Sequence, residues 1–470
     1  MGSQYNIGRL IGCVADYNSN NCWYFNCNNG VLNNNNRYNG NFRCRPFLDY
    51  GWYDNSNLDN YLIKLDEWLS ISKDTVRGKS RKPCYVYFLL DRISELIKLS
   101  HEVGNCEVMP SESTAHIIFE PKIREIVCAT AGKRVLQTFY IKSIQPYLER
   151  YLYHKDSYSC RKNMGSLKAI QRLQEYVFEE SMGYKNDLWI AKVDIQAFFM
   201  QIDCFQVNDI LVDFIKREMP EHQHKNLLLY LTRIIYLAAT KDHIKDMARP
   251  FEREMLNPTK SLYNSPYYKG VPIGDWTSQT AGLIITTFSL RYLESLGYKF
   301  IHYTDDTVVL VKDKKRWLED VQRLECYYEN FFGLTLHPKK RYLQHYSKGV
   351  EALGYKVKFN RILPSDRIGH NIRWYIKRTK KKFFDKTETD VLPYADKIVA
   401  TINSYLGLLR YMNGYRMRKW MCEEVCKGPI GKVIYPASDF CKISIREEFT
   451  KMSLYKIECK KIKKQIKIAA

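Results

Sequence analysis

The chain has 470 residues, 45% of them hydrophobic and 26% charged, which exceeds one compact core, predicts two or three domains, and excludes an intrinsically disordered chain. No apolar run reaches 18 residues and Met1–Ala15 lacks a basic start followed by a hydrophobic stretch, so neither a membrane span nor a secretory signal is expected. Lys and Arg number 73 against 51 Asp and Glu, a formal charge of +22, beside 36 Tyr and 21 Phe with faces for base stacking; a polyanionic partner is expected, nucleic acid first.

From Asn18 to Asn41, 12 of 24 residues are Asn. Asn favours turns and local side-chain bonds, so this stretch reads as loop or unfolded chain despite the interleaved Trp23, Tyr24, Phe25, Val31 and Leu32. Between Leu58 and Leu99 two helical patterns, NLDNYLIKLDEWL and CYVYFLLDRISELIKL, flank the basic linker RGKSRKP. His116–Ala129 alternates and is rich in Ile and Val, as paired strands are. A helix is predicted over GKRVLQTFYIKSIQPYLERYL, followed by a basic loop with Gly165 and a second helix. Leu188–Asp203 opens as a buried strand carrying Asp194 near its end, and Val207–Thr240 reads as helical. GVPIGDWTSQ is a Gly/Pro turn entering a long amphipathic helix. FIHYTDDTVVLVKDK, Phe300–Lys314, alternates on both sides of Asp305 and Asp306, as a hairpin does. KKRWLEDVQRLECYYENFF is an amphipathic helix stopped by Gly333, and two or three strands follow in LTLHPKKRYLQHYSKGVEALGYKV. Beyond Arg361 the chain is basic and mainly helical, with RWYIKRTKKKFF and INSYLGLLRYMNGYRMRKWM each read as a helix, and seven lysines lie between Lys451 and Lys467. The 14 cysteines are scattered. CWYFNC and CEEVC have spacings able to ligate zinc but lack a second ligand pair, so reduced thiols in a cytoplasmic protein are expected.

An Asp-Asp pair by itself usually marks a solvated turn. Here TVVLV follows and Tyr303 and Thr304 precede, which leaves little room for an ordinary loop. A strand bearing Asp194 and a hairpin bearing Asp305 and Asp306 would put three carboxylates on one sheet edge. Clustered anions repel and persist only around a positive partner. Hard oxygen ligands select Mg²⁺ or Mn²⁺, which complete their shells with water and substrate phosphates. Two such ions about 3.5–4 Å apart would stabilise the entering and departing oxygens of an in-line phosphoryl displacement. A basic chain with that site is expected to join or cut nucleotides.

YTDD, with VDIQAFF upstream, resembles the Y-x-D-D palm of reverse transcriptases, and the resemblance runs in the family's order from about Phe119 to Trp420. IREIVCATAGKRVLQ is similar to the fingers strands, DSYSCRKNMGSLKAI to the template-gripping loop and GVPIGDWTSQ to the nucleotide-pocket motif. LTLHPKKRYLQ is similar to the lysine-bearing segment, GVEALGY to the primer-side hairpin and SYLGLLRYMNGYRMR to the thumb helix. The resemblance implies an α+β right-hand polymerase, with an RRM-like palm sheet and a helical thumb. It divides the chain into an Asn-rich segment (1–50), a helical extension (51–115), fingers (116–190), a palm with inserted fingers helices (191–360) and a basic helical thumb and tail (361–470).

It further implies that Asp194, Asp305, Asp306 and the backbone carbonyl of Ile195 hold two Mg²⁺ ions, Mn²⁺ being the substitute, and that Lys340, with Lys339 as rival, protonates the leaving pyrophosphate. Arg124 and Arg134 would grip the triphosphate of a dNTP, since the guanidinium fork matches phosphate. Phe199 would exclude a ribose 2′-hydroxyl, its neighbour Phe198 reading as core. Ile273, Gly274 and Gln279 would line the nucleotide pocket. Arg161, Lys162 and Gly165 would follow the template, and Gly354, Tyr405 and Arg416 the primer side.

In one place the sequence departs from the common family pattern, which has Gln before the pocket glycine and Pro after its serine. Here Ile273 precedes Gly274, and Gln279 follows Ser278. That variant resembles enzymes of diversity-generating retroelements, which miscopy template adenines. Loss of a hydrogen-bonding side chain from a pocket wall relaxes discrimination. NSNNCWYFNCNNGVLNNNNRYNGNFRCRP resembles the translation of an adenine-rich template repeat ending like a lectin-like variable protein. The implied partners are an RNA template and its cDNA, dNTPs, a non-coding RNA and a small basic accessory protein, in a bacterial or phage-encoded cytoplasmic enzyme. A second reading keeps the chemistry and assigns the enzyme to antiphage defence with a non-coding RNA. A third makes it a non-catalytic RNA-binding scaffold, which three retained carboxylates oppose.

Overall fold

The computed structural model describes residues 63–80, 82–109, 113–120, 122–238, 243–338 and 341–449, with the backbone of 21–26 and 31–36. Strands β1 (Asn21–Asn26) and β2 (Val31–Asn36) pair antiparallel, Asn21 opposite Asn36. This corrects the reading of the Asn-rich stretch as loop: its aromatic and branched residues supply the strand propensity that Asn lacks.

Three helices follow, α1 (Leu65–Val76), α2 (Pro83–Leu90) and α3 (Arg92–Gly104). The apolar run from Cys84, expected as one helix, breaks at Asp91, whose φ of −118° and ψ of 29° leave the helical region. Strands β3 (Ser113–Ile118) and β4 (Arg124–Ala129) pair antiparallel as the alternation predicts, and α4 (Ala131–Tyr147) follows with Thr130 as its N-cap. After α5 (Ser166–Glu180) come β5 (Trp189–Asp194) and the short α6 (Phe198–Gln201). The helical stretch from Val207 divides into α7 (Cys204–Glu218) and α8 (Lys225–Arg233), separated at Pro220, which cannot donate to a helix interior.

Strand β6 (Ile244–Asp246), too short to show a pattern, adds parallel to β3, and α9 (Pro250–Met255) lies beyond it. Helix α10 (Trp276–Ser295), expected to be amphipathic, is instead buried on most faces, 13 of its 20 residues being buried, because apolar and small hydroxyl residues run all round it. Its buried hydroxyls are satisfied locally, Thr286 donating to the Gly282 carbonyl at 2.9 Å and Thr287 to Leu283 at 2.8 Å. Strands β7 (Lys299–Tyr303) and β8 (Asp306–Val311) are joined by only two residues, and α11 (Lys314–Phe332) ends at Gly333 with φ of 58°.

Then come β9 (Tyr342–His345), β10 (Val350–Ala352), β11 (Tyr355–Lys358) and β12 (Arg361–Pro364). The last part holds α12 (Asp366–Lys382), α13 (Glu388–Leu409), α14 (Tyr415–Val425), α15 (Pro429–Val433) and the small hairpin β13 (Ile434–Pro436) with β14 (Ile443–Ile445). The single helix read from Ile402 to Met421 is two. Asn413 exchanges two hydrogen bonds with the Ile362 backbone, at 2.8 and 2.9 Å, and draws the chain out of the helix.

The main sheet has the order β7-β8-β5-β9, and smaller sheets run β4-β3-β6 and β10-β11-β12. The chain forms two compact units, changing from one to the other after Lys162, Ala191, Thr307, Lys312 and Arg341. The ends of β5 and β8 that carry Asp194 and Asp306 fall in the first unit. There α10 and α11 meet through Ser289, which donates to the Tyr328 hydroxyl at 2.6 Å. In the second unit α12 buries Gly369, Ile372, Ile376 and Thr379 and exposes a face carrying Arg367, Arg373, Lys377, Arg378, Lys381 and Lys382. Among the described residues no helix is long and apolar enough to cross a membrane.

Candidate active site

Asp194 is the last residue of β5, Asp306 the first of β8, and these strands are neighbours in the sheet. Asp305 lies in the two-residue connection before β8. Asp194 and Asp305 are half-buried and Asp306 is exposed. Backbone bonds fix the end of β5: His337 donates to the Asp194 carbonyl at 2.8 Å and Gln196 to the Thr335 carbonyl at 2.9 Å, flanking an antiparallel bridge between Ile195 and Leu336. In that pattern the bridged residue's own N–H and C=O point away from the partner segment. The Ile195 carbonyl therefore faces the side of β5 on which β8 lies.

The hairpin connection is strained. Thr304 has φ of 62°, rare for a branched residue, and such strain persists only where surroundings over-determine it. They do so here: Thr304 N–H donates to the buried Ser159 hydroxyl at 3.0 Å. On the other edge of β7, His302 donates to the Asp156 carbonyl and Tyr158 to the His302 carbonyl, both at 2.9 Å. Asp156–Ser159 thus clamps the carboxylate hairpin, a role the sequence reading did not give it.

Among the described residues, no three His, Cys, Asp or Glu side chains approach closely enough to form a ready-made metal cage. The donor set nonetheless fits a hard divalent cation. It is all oxygen, on adjoining strand ends and partly open, and Mg²⁺ commonly takes one or two carboxylates with the rest from water and substrate phosphates.

The residues expected to line the nucleotide pocket fall in the same unit. Val127 of β4 donates to the Ile273 carbonyl at 2.9 Å. Gly274 has φ of 131°, and a Cβ there would lie 2.7 Å from the Val127 carbonyl oxygen, so only glycine allows this approach. Ile273 and Phe199, both half-buried, pack against one core of Ala115, Val127, Met200 and Leu262. Phe198 is buried beside Gly282 of α10, where a Cβ would lie 2.9 Å from its ring. Gln279 is exposed on α10 and Arg124 is exposed at the start of β4. Arg134 is half-buried, its Nε donating to the Ala129 carbonyl at 3.1 Å and its Nη1 to the Tyr85 hydroxyl at 3.3 Å. Lys340 and Lys339 lie outside the described residues.

The remaining expected nucleic-acid contacts differ in availability. The Arg161 side chain is 6% exposed and pairs with Glu149 at 2.6 Å. Its Nη1 also donates to the carbonyls of His154 and Ser157, at 2.7 and 2.8 Å. That guanidinium holds its own loop together, whereas Lys162 is exposed. Gly165 has φ of 134° with open space around it, and Gly354 φ of 87° in the β10–β11 turn. Tyr405 is half-buried near Tyr375 on α12, and Arg416 is exposed on α14.

The sequence reading also passed over Glu125, a charged residue in an alternating strand. It is 1% exposed, accepts from Leu262 N–H, and pairs with Arg253, which also binds Asp246 at 2.7 Å. These bonds fasten α9 and β6 to strand β4, which also carries Val127.

Comparison with known proteins gives one family: the model of "Reverse transcriptase (RNA-dependent DNA polymerase)" matches residues 117–357, just over half of the chain. A search of curated protein sequences returns no match. Among solved structures, apo telomerase from Candida tropicalis, truncated of its C-terminal domain, is similar with a TM-score of 0.39 and 12% identity over 55% of each chain. Telomerase from Candida albicans, in complex with a TWJ fragment of telomeric RNA, is similar with a TM-score of 0.39 and 10% identity, covering 67% of this chain and 62% of that one. The chain thus spans about half to three fifths of the length of those structures.

Proposed function

The chain belongs to the reverse transcriptase (RNA-dependent DNA polymerase) family, and on that premise we propose that it copies a dedicated RNA into cDNA mutagenically, as enzymes of diversity-generating retroelements do. It is an RNA-directed DNA polymerase with an α+β polymerase fold, and the family works with divalent metal ions. The observation that carries the finer reading is the placement of Ile273. An aliphatic side chain stands on the pocket wall, packed with Phe199 on one core, where the common family pattern has a hydrogen-bonding one. A wall without that group discriminates less between bases.

In this reading Asp194, Asp305, Asp306 and the Ile195 carbonyl hold two divalent ions, Mg²⁺ before Mn²⁺. Bound there, the ions supply charge stabilisation to the entering 3′-oxygen and the departing pyrophosphate. Arg124 and Arg134 bind the triphosphate, Phe199 closes the space a 2′-hydroxyl would need, and Ile273, Gly274 and Gln279 shape the base site. Lys340 donates a proton to the pyrophosphate, an assignment resting on sequence alone. Lys162 and Gly165 follow the template, while Arg161 shapes the loop that presents them. Gly354, Tyr405, Arg416 and the basic face of α12 serve the primer–template duplex, so affinity falls steeply with salt. A non-coding RNA and a small basic accessory protein complete the assembly.

Primer extension on an RNA template tests the chemistry. Asp305→Ala is expected to lower extension about a hundredfold or more with RNA affinity kept, since ligand loss removes the ions' contribution. A variant that still extends primers at the native rate would refute the metal assignment.

A further inference from the structure

Glu125 puts a charge where the alternation of β4 calls for an apolar side chain. It shares the buried face of the strand with Val127 and Ala129, and it uses both carboxylate oxygens. Oε1 accepts from Arg253 Nη1, and Oε2 accepts from the backbone N–H of Leu262 at 2.5 Å. Arg253 is fixed in turn by Asp246, which accepts from its Nε and Nη2 at 2.7 Å each, and it lies over the Tyr263 ring at 4.7 Å. Replacing a buried ion pair by apolar residues of similar volume is often neutral or stabilising, so filling a core does not require this carboxylate. What an apolar residue could not supply is an acceptor for Leu262.

From Leu262 two contacts lead to Phe199. The leucine side chain packs on the backbone of Gly270, where a Cβ would lie 2.7 Å from Leu262 Cδ1 at a φ of 98°. The next residue, Val271, donates its N–H to the Phe199 carbonyl at 2.8 Å, and Gly270 donates to the Ile202 carbonyl at 2.8 Å. Leu262 also belongs to the small core of Ala115, Val127 and Met200 on which Phe199 and Ile273 pack. The loop from Leu262 to Val271 is thus held at one end by Glu125 and at the other by the backbone that carries Phe199.

We propose that Glu125 is a positioning residue for sugar selection: by accepting from Leu262 it seats this loop, and through the loop it sets where Phe199 stands against the sugar of the incoming nucleotide. The inference rests on the reading of Phe199 as the residue that closes the space of a 2′-hydroxyl. A steric filter works only while its wall keeps its place. A small displacement of the ring admits the extra oxygen of an rNTP while the dNTP still fits. Release of Leu262 therefore shows in the choice between the two sugars, whereas a general loosening of the fold lowers activity on both alike.

The experiment is single-nucleotide insertion on an RNA template by the full chain, read as the ratio of kcat/KM for a dNTP to that for the matching rNTP. Two paired variants both remove the ion pair and differ only in the acceptor for Leu262. Glu125→Leu/Arg253→Met lacks one, and its ratio is expected to fall about tenfold. Glu125→Gln/Arg253→Met keeps a side-chain carbonyl there, and its ratio is expected to stay within about twofold of native. Phe199→Ala is expected to lower the ratio, and adding Glu125→Leu/Arg253→Met to it to lower the ratio no further, because the two act through one ring. If Phe199→Ala lowers the ratio while Glu125→Leu/Arg253→Met leaves it native, even with activity reduced on both sugars, the inference is overturned and the reading of Phe199 stands. Equal falls in the Leu and Gln pairs, or a further fall in the combined variant, also overturn it. If Phe199→Ala leaves the ratio unchanged, both fall. Should Glu125→Leu/Arg253→Met fail to fold, Leu262→Ala, which keeps the ion pair and removes the side chain that meets Gly270, decides alone: a native ratio overturns the proposal.

Discussion

Val127 and Ile273 are joined backbone to backbone, N–H to carbonyl at 2.9 Å, so the Ile273–Gly274 turn, the proposed wall of the nucleotide pocket, lies against the edge strand β4. Their sequence separation of well over a hundred residues is bridged at Gly274, which lets the two backbones touch.

Gly274 is the most sensitive point of this junction. In Gly274→Ala the new Cβ would lie 2.7 Å from the Val127 carbonyl oxygen, at a φ of 131°. Each such strain costs on the order of 1–3 kcal/mol, and the wall relieves it by leaving β4. Primer extension is expected to fall about tenfold or more through misplacement of the nucleotide, with RNA affinity retained in a filter-binding assay. Native kinetics in this variant would mean that the junction does not position the pocket.

The ion network behind the wall makes a second prediction. Arg253→Met leaves the Glu125 carboxylate, 1% exposed, without its cation, and breaking a buried pair costs about 3–5 kcal/mol. Urea unfolding should register that loss. The double variant Glu125→Gln/Arg253→Met, which removes the stranded charge, should recover part of it. A stability change below about 1 kcal/mol in the single variant would place the pair in the class of weak surface bridges.

Acid stability should depend on His302. Burial, with a contribution from His154, lowers its pKa from 6.5 to about 3, although the Thr304 backbone opposes the shift. The unfolded chain takes up a proton below pH 6.5 that the native fold refuses. Stability is therefore lost as pH falls from about 6.5 towards about 3, at on the order of 1.4 kcal/mol per pH unit. His302→Gln, which cannot titrate, should flatten the melting-temperature profile between pH 7 and pH 5. An unchanged slope would assign acid lability to other groups, His154 first, whose pKa burial also lowers.

Much of this was legible because the signals are local. The one-sided burial of α11 follows its apolar period, Gly333 ends it, and alternation gives β3, β4, β7 and β8, whereas α10, read as amphipathic, is buried on most faces. What was not legible depends on partners far away in sequence. Asn413 interrupts a helical pattern because Ile362 is there to pair with it. Arg161 looks like a template contact until Glu149 and two carbonyls engage it. Glu125 and Arg253 are 128 positions apart, and Asp275 and Gln137 are 138 apart, with no periodicity to link them. Strands β6, β13 and β14, three residues each, are too short to carry a pattern. Within the candidate site the strand and hairpin that carry Asp194, Asp305 and Asp306 were readable from the apolar run and the alternation, whereas the clamp of Thr304 by Ser159 was not.

The most direct test of the mutagenic reading is the sequence of the DNA that purified protein makes from an RNA template containing all four bases, compared between the native chain and Ile273→Gln. Errors concentrated opposite template adenines, falling about tenfold when a hydrogen-bonding side chain is returned to the wall, are the predicted result. Accurate copying by the native chain, or an error spectrum that Ile273→Gln leaves unchanged, would contradict it.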